Sequence, residues 1–320
     1  MKNILFTSVY KIEFLLLLIG CLLLGFHNFV LHLALNTQMI ILLVMVFFVG
    51  VPHGALDFLV DEQNEEVLQH KFSLQKFVKI YLVRLFAFSL IWIFPWLAIS
   101  IFLIFSIYHF GETDMATMLF SKKNAAILYI AYGTFMLVVL LLTHLSEIKD
   151  TLPVATSFIT KSNIYVFLEQ YKKFLFAGSA LFFIATILYH QKQMNINLTI
   201  SKVLIFFILM LIVILLPLLL AFTFYFAIWH SVLSVRNIFV YFKSCNNNKK
   251  FSIICNKSIL FSLLALGGMV VIYFVLDYFL PNMNMLFALL ILLSVLTLPH
   301  LKVMHRMYLN IDKNKSIVSY

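Results

Sequence analysis

Residues 203–230 read VLIFFILMLIVILLPLLLAFTFYFAIWH, an apolar run with no charged side chain and a single interruption, Pro217. A run of this kind suits lipid better than a soluble core, because about 20 apolar residues already cross the hydrocarbon layer as a helix. Continued to Tyr241 as one helix it would exceed about 50 Å at about 1.5 Å per residue, so the chain is expected to fold back at Pro217.

The rest of the sequence repeats this pattern. Of 320 residues, 63% are hydrophobic and 11% charged, and the mean hydropathy is +1.03. Soluble domains run near 45–50% apolar and about 25% charged, so a soluble globular fold is excluded. Strand-like alternation is absent, which selects helices over a barrel. The expected fold is all-α, a polytopic transmembrane helix bundle forming one integral domain over 1–320. About ten spans are expected, at 12–31, 39–60, 76–94, 96–111, 125–144, 174–190, 203–218, 219–241, 259–279 and 285–303. The pairs that meet at Pro95 and Pro217 are tight, which leaves eight or nine as the alternative count. Lys2 and Lys11 before the apolar run Phe14 to Phe26 read as a retained first helix, and Asp61, Glu62, Glu65 and Glu66 as a solvated loop.

The formal net charge is +10, but the charges lie between apolar segments rather than on one face, so they indicate membrane orientation and not nucleic-acid binding. With the N-terminus inside, all but Lys149, Lys161, Lys172 and Lys173 of the 23 Lys and Arg residues fall on the cytoplasmic side. That side holds Lys71, Lys76, Lys79, Arg84, Lys122, Lys123, Lys249 and Lys250. Such a bias predicts a multi-pass protein of the cell inner membrane with both termini cytoplasmic. Cys21, Cys245 and Cys255 form no C-x-x-C pair, so no thiolate metal site or disulfide framework is expected.

Function is sought among the ten histidines. His70 and His190 fall in or beside loops, and His27, His32 and His144 near outer helix ends, where interfacial water can satisfy an imidazole. His53, His109, His230 and His300 fall inside four different spans. Counted from the outer ends, three lie about 20–22 Å deep and His230 about 16 Å. His305 falls about a turn beyond, as a solvated helix-end residue. One intramembrane histidine suggests a hydrogen bond or proton relay, whereas four at one level suggest a nitrogen-ligated iron, zinc or copper ion. Asp57 follows His53 by four residues, on the same helical face, and is placed to orient it or a neighbouring ligand. Glu112 and Asp114 follow His109 near the cytoplasmic interface, and Tyr108, Phe110 and Trp229 flank the histidines.

The phrases PHGALD at 52–57, YHFGETD at 108–114, WHS at 229–231 and LPH at 298–300 together resemble the Brp/Blh family of membrane β-carotene 15,15'-dioxygenases, by order and spacing over nearly the whole chain. The resemblance implies cleavage of β-carotene by O₂ at its central double bond into two retinal molecules, with non-haem Fe(2+) held by histidines. It makes His53, His109 and His230 the catalytic metal ligands, with Asp57, Glu112, Asp114 and Ser234 around them and Tyr108, Phe110 and Trp229 against the substrate. By the same analogy a microbial rhodopsin would consume the retinal. The family pattern W-H-S-x-R-H places another histidine where this chain has Ser234. Three accounts compete: a three-histidine site, recruitment of His300 as fourth ligand, or altered activity. The depth of His300 favours the second. Two other readings of the buried residues are a proton-coupled transporter using His and Asp, and a di-iron desaturase. Paired broken helices for the first and closely spaced H-x-x-H-H boxes for the second are not seen.

Overall fold

The structure is a computed structural model and describes residues 2–119, 125–151, 164–194, 200–245, 251–279 and 284–318. Lys122, Lys123, Lys161, Lys249 and Lys250, used above for orientation, lie outside the described residues. Every element among the described residues is helical. In chain order they are α1 (Lys2–Gly25, extended by a π turn Phe26–Val30), α2 (Leu35–Val67), α3 (Leu74–Ile91), α4 (Pro95–Leu119), α5 (Ala125–Thr143) and the short α6 (Leu145–Thr151). There follow α7 (Ile164–Met194), α8 (Ile200–Leu215), α9 (Leu218–Ser244), α10 (Phe251–Phe279) and α11 (Met285–Val318).

Seven of these helices are long and apolar enough to cross a membrane. Of the ten segments expected, 76–94, 203–218 and 259–279 fall short of that standard. Helix α3 carries Lys76, Lys79 and Arg84, and the apolar parts of α8 and α10 are the shorter stretches Ile200–Leu215 and Ile259–Val275. Large apolar side chains such as Phe29, Phe48, Phe174 and Leu181 are exposed around the bundle, as lipid-facing surface should be.

The predicted loop at 61–66 is instead the last two turns of α2. Asp61 and Glu65, one turn apart, accept hydrogen bonds from the two guanidinium nitrogens of Arg306 on α11 at 2.9 and 2.7 Å, and this keeps α2 helical beyond its apolar part. The fold-back at Pro217 is present, and its free backbone groups have side-chain partners. Nε2 of His144 lies 2.7 Å from the carbonyl of Leu216, and the N–H of Leu218 donates to Glu147 at 2.8 Å. His144 is thus buried and structural rather than bathed in interfacial water. His27 is also buried, stacked on His32, and His190 is fully buried on α7 rather than loop-borne.

Lipid removes most of the hydrophobic drive for helices to associate, so close packing and buried hydrogen bonds must hold the bundle. At the crossing of α4 and α5 a Cβ on Gly111 would stand 1.9 Å from the carbonyl oxygen of Tyr129, and one on Gly133 1.8 Å from that of Ile107. Only glycine lets these backbones touch, and the contact sets the height of His109 two residues before Gly111. Asn237 of α9 donates to the Thr113 carbonyl (2.9 Å) on α4 and to the Tyr308 hydroxyl (3.1 Å) on α11. Asn64 of α2 accepts from Tyr241 (2.9 Å) and Asn310 (3.0 Å). The four helices bearing the deep histidines are therefore stitched to one another.

Substituting Gly111 by Ala should destabilise the fold by at least about 1–3 kcal/mol, since backbone rather than a movable side chain blocks the new methyl. Thermal unfolding in detergent will show this as a lowered midpoint, while Gly178→Ala, at a site with nothing within 4 Å, should leave the midpoint unchanged.

Candidate metal centre

Three of the four deep histidines are positioned by a local irregularity of their helix, whereas His109 lies in the regular helix α4. A π turn over Val46–Gly50 precedes Pro52 and His53, and a longer one over Thr223–His230 ends at His230. Pro52 lacks an N–H and Pro299 sits inside α11 before His300, so both helices surrender a regular hydrogen bond just where an imidazole must be aimed.

These four helices bring the rings together. The ring centroids of His53 and His300 are 4.9 Å apart, those of His109 and His300 5.0 Å, those of His109 and His230 4.9 Å, and those of His53 and His230 5.8 Å. Ligand atoms of His53, His109 and His300 all lie within 4.8 Å of one another. Two nitrogens bound to one ion at about 2.1 Å stand no more than about 4.2 Å apart, so small side-chain rotations would close the set. All four rings are buried. Both ring nitrogens of His109 and of His230, Nδ1 of His53 and Nε2 of His300 have no hydrogen-bond partner. Such orphaned buried groups are costly, and a cation offered to them would remove the cost.

The carboxylates expected beside the histidines divide into two kinds. Asp57 does not bond His53 but reaches across to α11, where its Oδ1 lies 2.7 Å from Nδ1 of His300, and Oδ2 accepts from the Tyr81 hydroxyl at 3.2 Å. With Nδ1 so occupied, the free Nε2 of His300 is available to a metal. Asp114 places Oδ1 3.5 Å from Nδ1 of His230, while its Oδ2 accepts from the hydroxyls of Tyr132 (2.7 Å) and Tyr225 (3.1 Å). Glu112 differs. Its Oε1 lies 2.6 Å from Nδ1 of His305 and 3.2 Å from the Tyr108 hydroxyl, so it serves His305 rather than one of the four deep rings. His305 is accordingly a paired, partly buried residue and not a solvated helix end. Ser234 is buried one turn beyond His230, its hydroxyl without a partner.

Of the flanking aromatics, Phe110 meets the His230 ring at 4.7 Å, and Phe226, which the sequence did not single out, stacks on it at 6.3 Å. Tyr108 packs on Tyr129 and His305 instead. Trp229 is buried and lines a cavity of about 500 Å³ that also reaches Asp114. Tyr81, Tyr132 and Tyr225 were likewise missed. Each lies at no spacing tied to its carboxylate, so nothing in the sequence marks it.

Sequence comparison identifies the family. The family model described as beta-carotene 15,15'-dioxygenase matches residues 44–308, a range that contains all four deep histidines. A curated relative, the beta-carotene 15,15'-dioxygenase of uncultured marine bacterium 66A03, is 34% identical over 116 residues, 36% of this chain and 42% of the relative. The match thus spans less than half of that relative's length. No solved structure matches the chain.

Replacing Asp57 by Ala should lower metal affinity about 10–100-fold by freeing the His300 ring. Metal titration of purified protein will measure this, and Tyr81→Phe should give a smaller loss in the same direction.

Proposed function

The chain belongs to the beta-carotene 15,15'-dioxygenase family, and we propose from that premise that it cleaves β-carotene with O₂ at the central double bond, using Fe(2+) held by its buried histidines. The observation that carries this reading is the convergence of four imidazoles, three with ligand atoms within 4.8 Å of one another, each with at least one ring nitrogen that makes no hydrogen bond. His53, His109 and His300 would hold the ion, with His230 completing the set, so that His300 stands in for the histidine the family pattern places at Ser234. Nitrogen-only ligation without thiolates suits such an ion. When bound, iron(II) supplies the electronic access that a closed-shell alkene and triplet O₂ lack between them.

The remaining work falls to the chain itself. Asp57 and Tyr81 hold the His300 ring, and Asp114, itself held by Tyr132 and Tyr225, faces His230. Phe110 and Phe226 pack against His230 and exclude water from that side. The reaction balances without an external reductant or proton: the central C=C bond and the O–O bond break, and each carbon leaves as an aldehyde carrying one oxygen atom. No acid or base is required beside the substrate, so the imidazole nitrogens would be available to hold a metal. Because β-carotene is a hydrocarbon dissolved in the bilayer, a site at membrane depth receives it from lipid and avoids transfer into water, which costs about 0.8 kcal/mol per methylene-sized group. We read the chain as one integral domain of the cell inner membrane with both termini cytoplasmic, and a microbial rhodopsin as a suitable acceptor of the retinal.

Expression in β-carotene-producing cells should bleach them and yield retinal, two molecules per carotene lost, and His53→Ala should restore the colour. Persistent colour with intact, folded protein would refute the reading. A chelator should abolish cleavage by purified protein and Fe(2+) restore it. If His300 completes the site, Ser234→His should leave bound iron per chain unchanged, whereas a large gain would show that the natural site lacks a ligand.

A further inference from the structure

We propose that the cavity between α5, α7 and α8 is the slot that receives one half of the carotenoid, and that substrate enters it sideways from lipid between α7 and α8. This rests on the carotene-cleaving reading above but adds a route and a binding surface.

The slot holds about 500 Å³ and is lined along α7 by every third or fourth residue from Phe176 to Gln191, one continuous face of that helix. At about 1.5 Å per residue this wall is roughly 22 Å long, and the facing wall of α8 from Lys202 to Ile214 roughly 18 Å. An elongated cavity of this kind fits a rod-shaped hydrocarbon rather than a compact solute. One end abuts the metal centre, where Trp229 and Asp114 form part of the wall and Asp114 stands 3.5 Å from His230. The few polar groups cluster at that end, since Glu13 interacts electrostatically with both Lys202 and Asp114. From there the walls are aromatic. Tyr132, whose hydroxyl holds Asp114, meets Phe183 and Phe206 at 5.6 and 5.8 Å, and further along Phe135 meets Phe176 at 6.3 Å. Flat rings with offset and edge contacts make a surface that suits a conjugated chain.

The side opening follows from how the helices pack. Both α7 and α8 contact α5, and the residues at their outer edges that line the slot are exposed toward lipid: Ile184 by 52%, Leu188 by 58%, Val203 by 50% and Phe207 by 58%. A hydrocarbon diffusing in the bilayer meets there an apolar seam that leads to Asp114 and Trp229, beside His230, without crossing the aqueous interface. A path through water would forfeit the advantage of a site in the membrane.

The test fills the slot without touching the metal centre. Ala180→Trp blocks its middle and Ile184→Trp its lipid-facing mouth, while Gly178→Trp, on the same helix at a position with nothing within 4 Å, is the control. Each protein is checked for thermal stability and bound iron, and the lipid-exposed Ile184 variant keeps the test decisive if the Ala180 variant does not fold. Two quantities are then measured: KM for β-carotene, and β-carotene retained per chain by metal-stripped protein purified from carotene-producing cells. Both slot variants should raise KM about tenfold or more, as filling an apolar pocket does, and lose the retained carotene, with bound iron unchanged and the control like wild type. Slot variants that match wild type in both measurements would overturn the proposal. Retained carotene is read without turnover, so a wild type that binds carotene in the slot but makes no retinal would refute the activity and leave the slot standing.

Discussion

A nitrogen lone pair buried in a membrane protein must find a proton donor or a cation, and here several have neither among the side chains around them. Lipid supplies no hydrogen bonds, so the cost of each unpartnered imidazole nitrogen in His53, His109, His230 and His300 is carried by the whole fold. A bundle that accepts such a cost on four separate helices presents a set of nitrogens that could hold an ion. The carboxylates follow the same logic: Asp57 and Asp114 are tied down by tyrosine hydroxyls and turned toward His300 and His230, where they can hold a ring without needing water.

Convergence of this kind demands that four helices keep fixed heights and rotations in a solvent that does little to press them together. The molecule meets the demand with two devices. Backbone contact at Gly111 and Gly133 locks α4 on α5, and buried amides at Asn64 and Asn237 lock α2, α4, α9 and α11 to one another. Irregular turns then aim the rings, by π geometry before His53 and through His230 and by Pro299 before His300. Pro217 shows the same economy in a purely structural role, because His144 and Glu147 satisfy the backbone groups around the break.

The aromatic surface divides by what it faces. Phe110 and Phe226 close around His230, whereas the rings of α5, α7 and α8 line an elongated cavity that ends beside Asp114. A centre screened by Phe110 and Phe226, with an apolar slot ending beside it at Asp114 and Trp229, would suit a reaction on a bilayer-dissolved hydrocarbon, since water must be kept out while a long rigid molecule is let in.

Much of this was legible in the sequence. Apolar run lengths report the solvent directly, so the helical membrane character and the fold-back at Pro217 needed no coordinates, and the common depth of His53, His109, His230 and His300 follows from a rise of about 1.5 Å per residue. Other features were not, because they depend on which helix faces which. The sequence could place Asp57 on the face of His53, but only the crossing of α2 and α11 gave its carboxylate to His300. It could place Glu112 near His109, but rotation about α4 turned it to His305, and the acidic residues after Val60 looked like loop until Arg306 was found between them. Residue spacing along one helix determines depth and face; the partner across a helix interface is set by crossing angle and rotation, which arise only when the whole bundle packs.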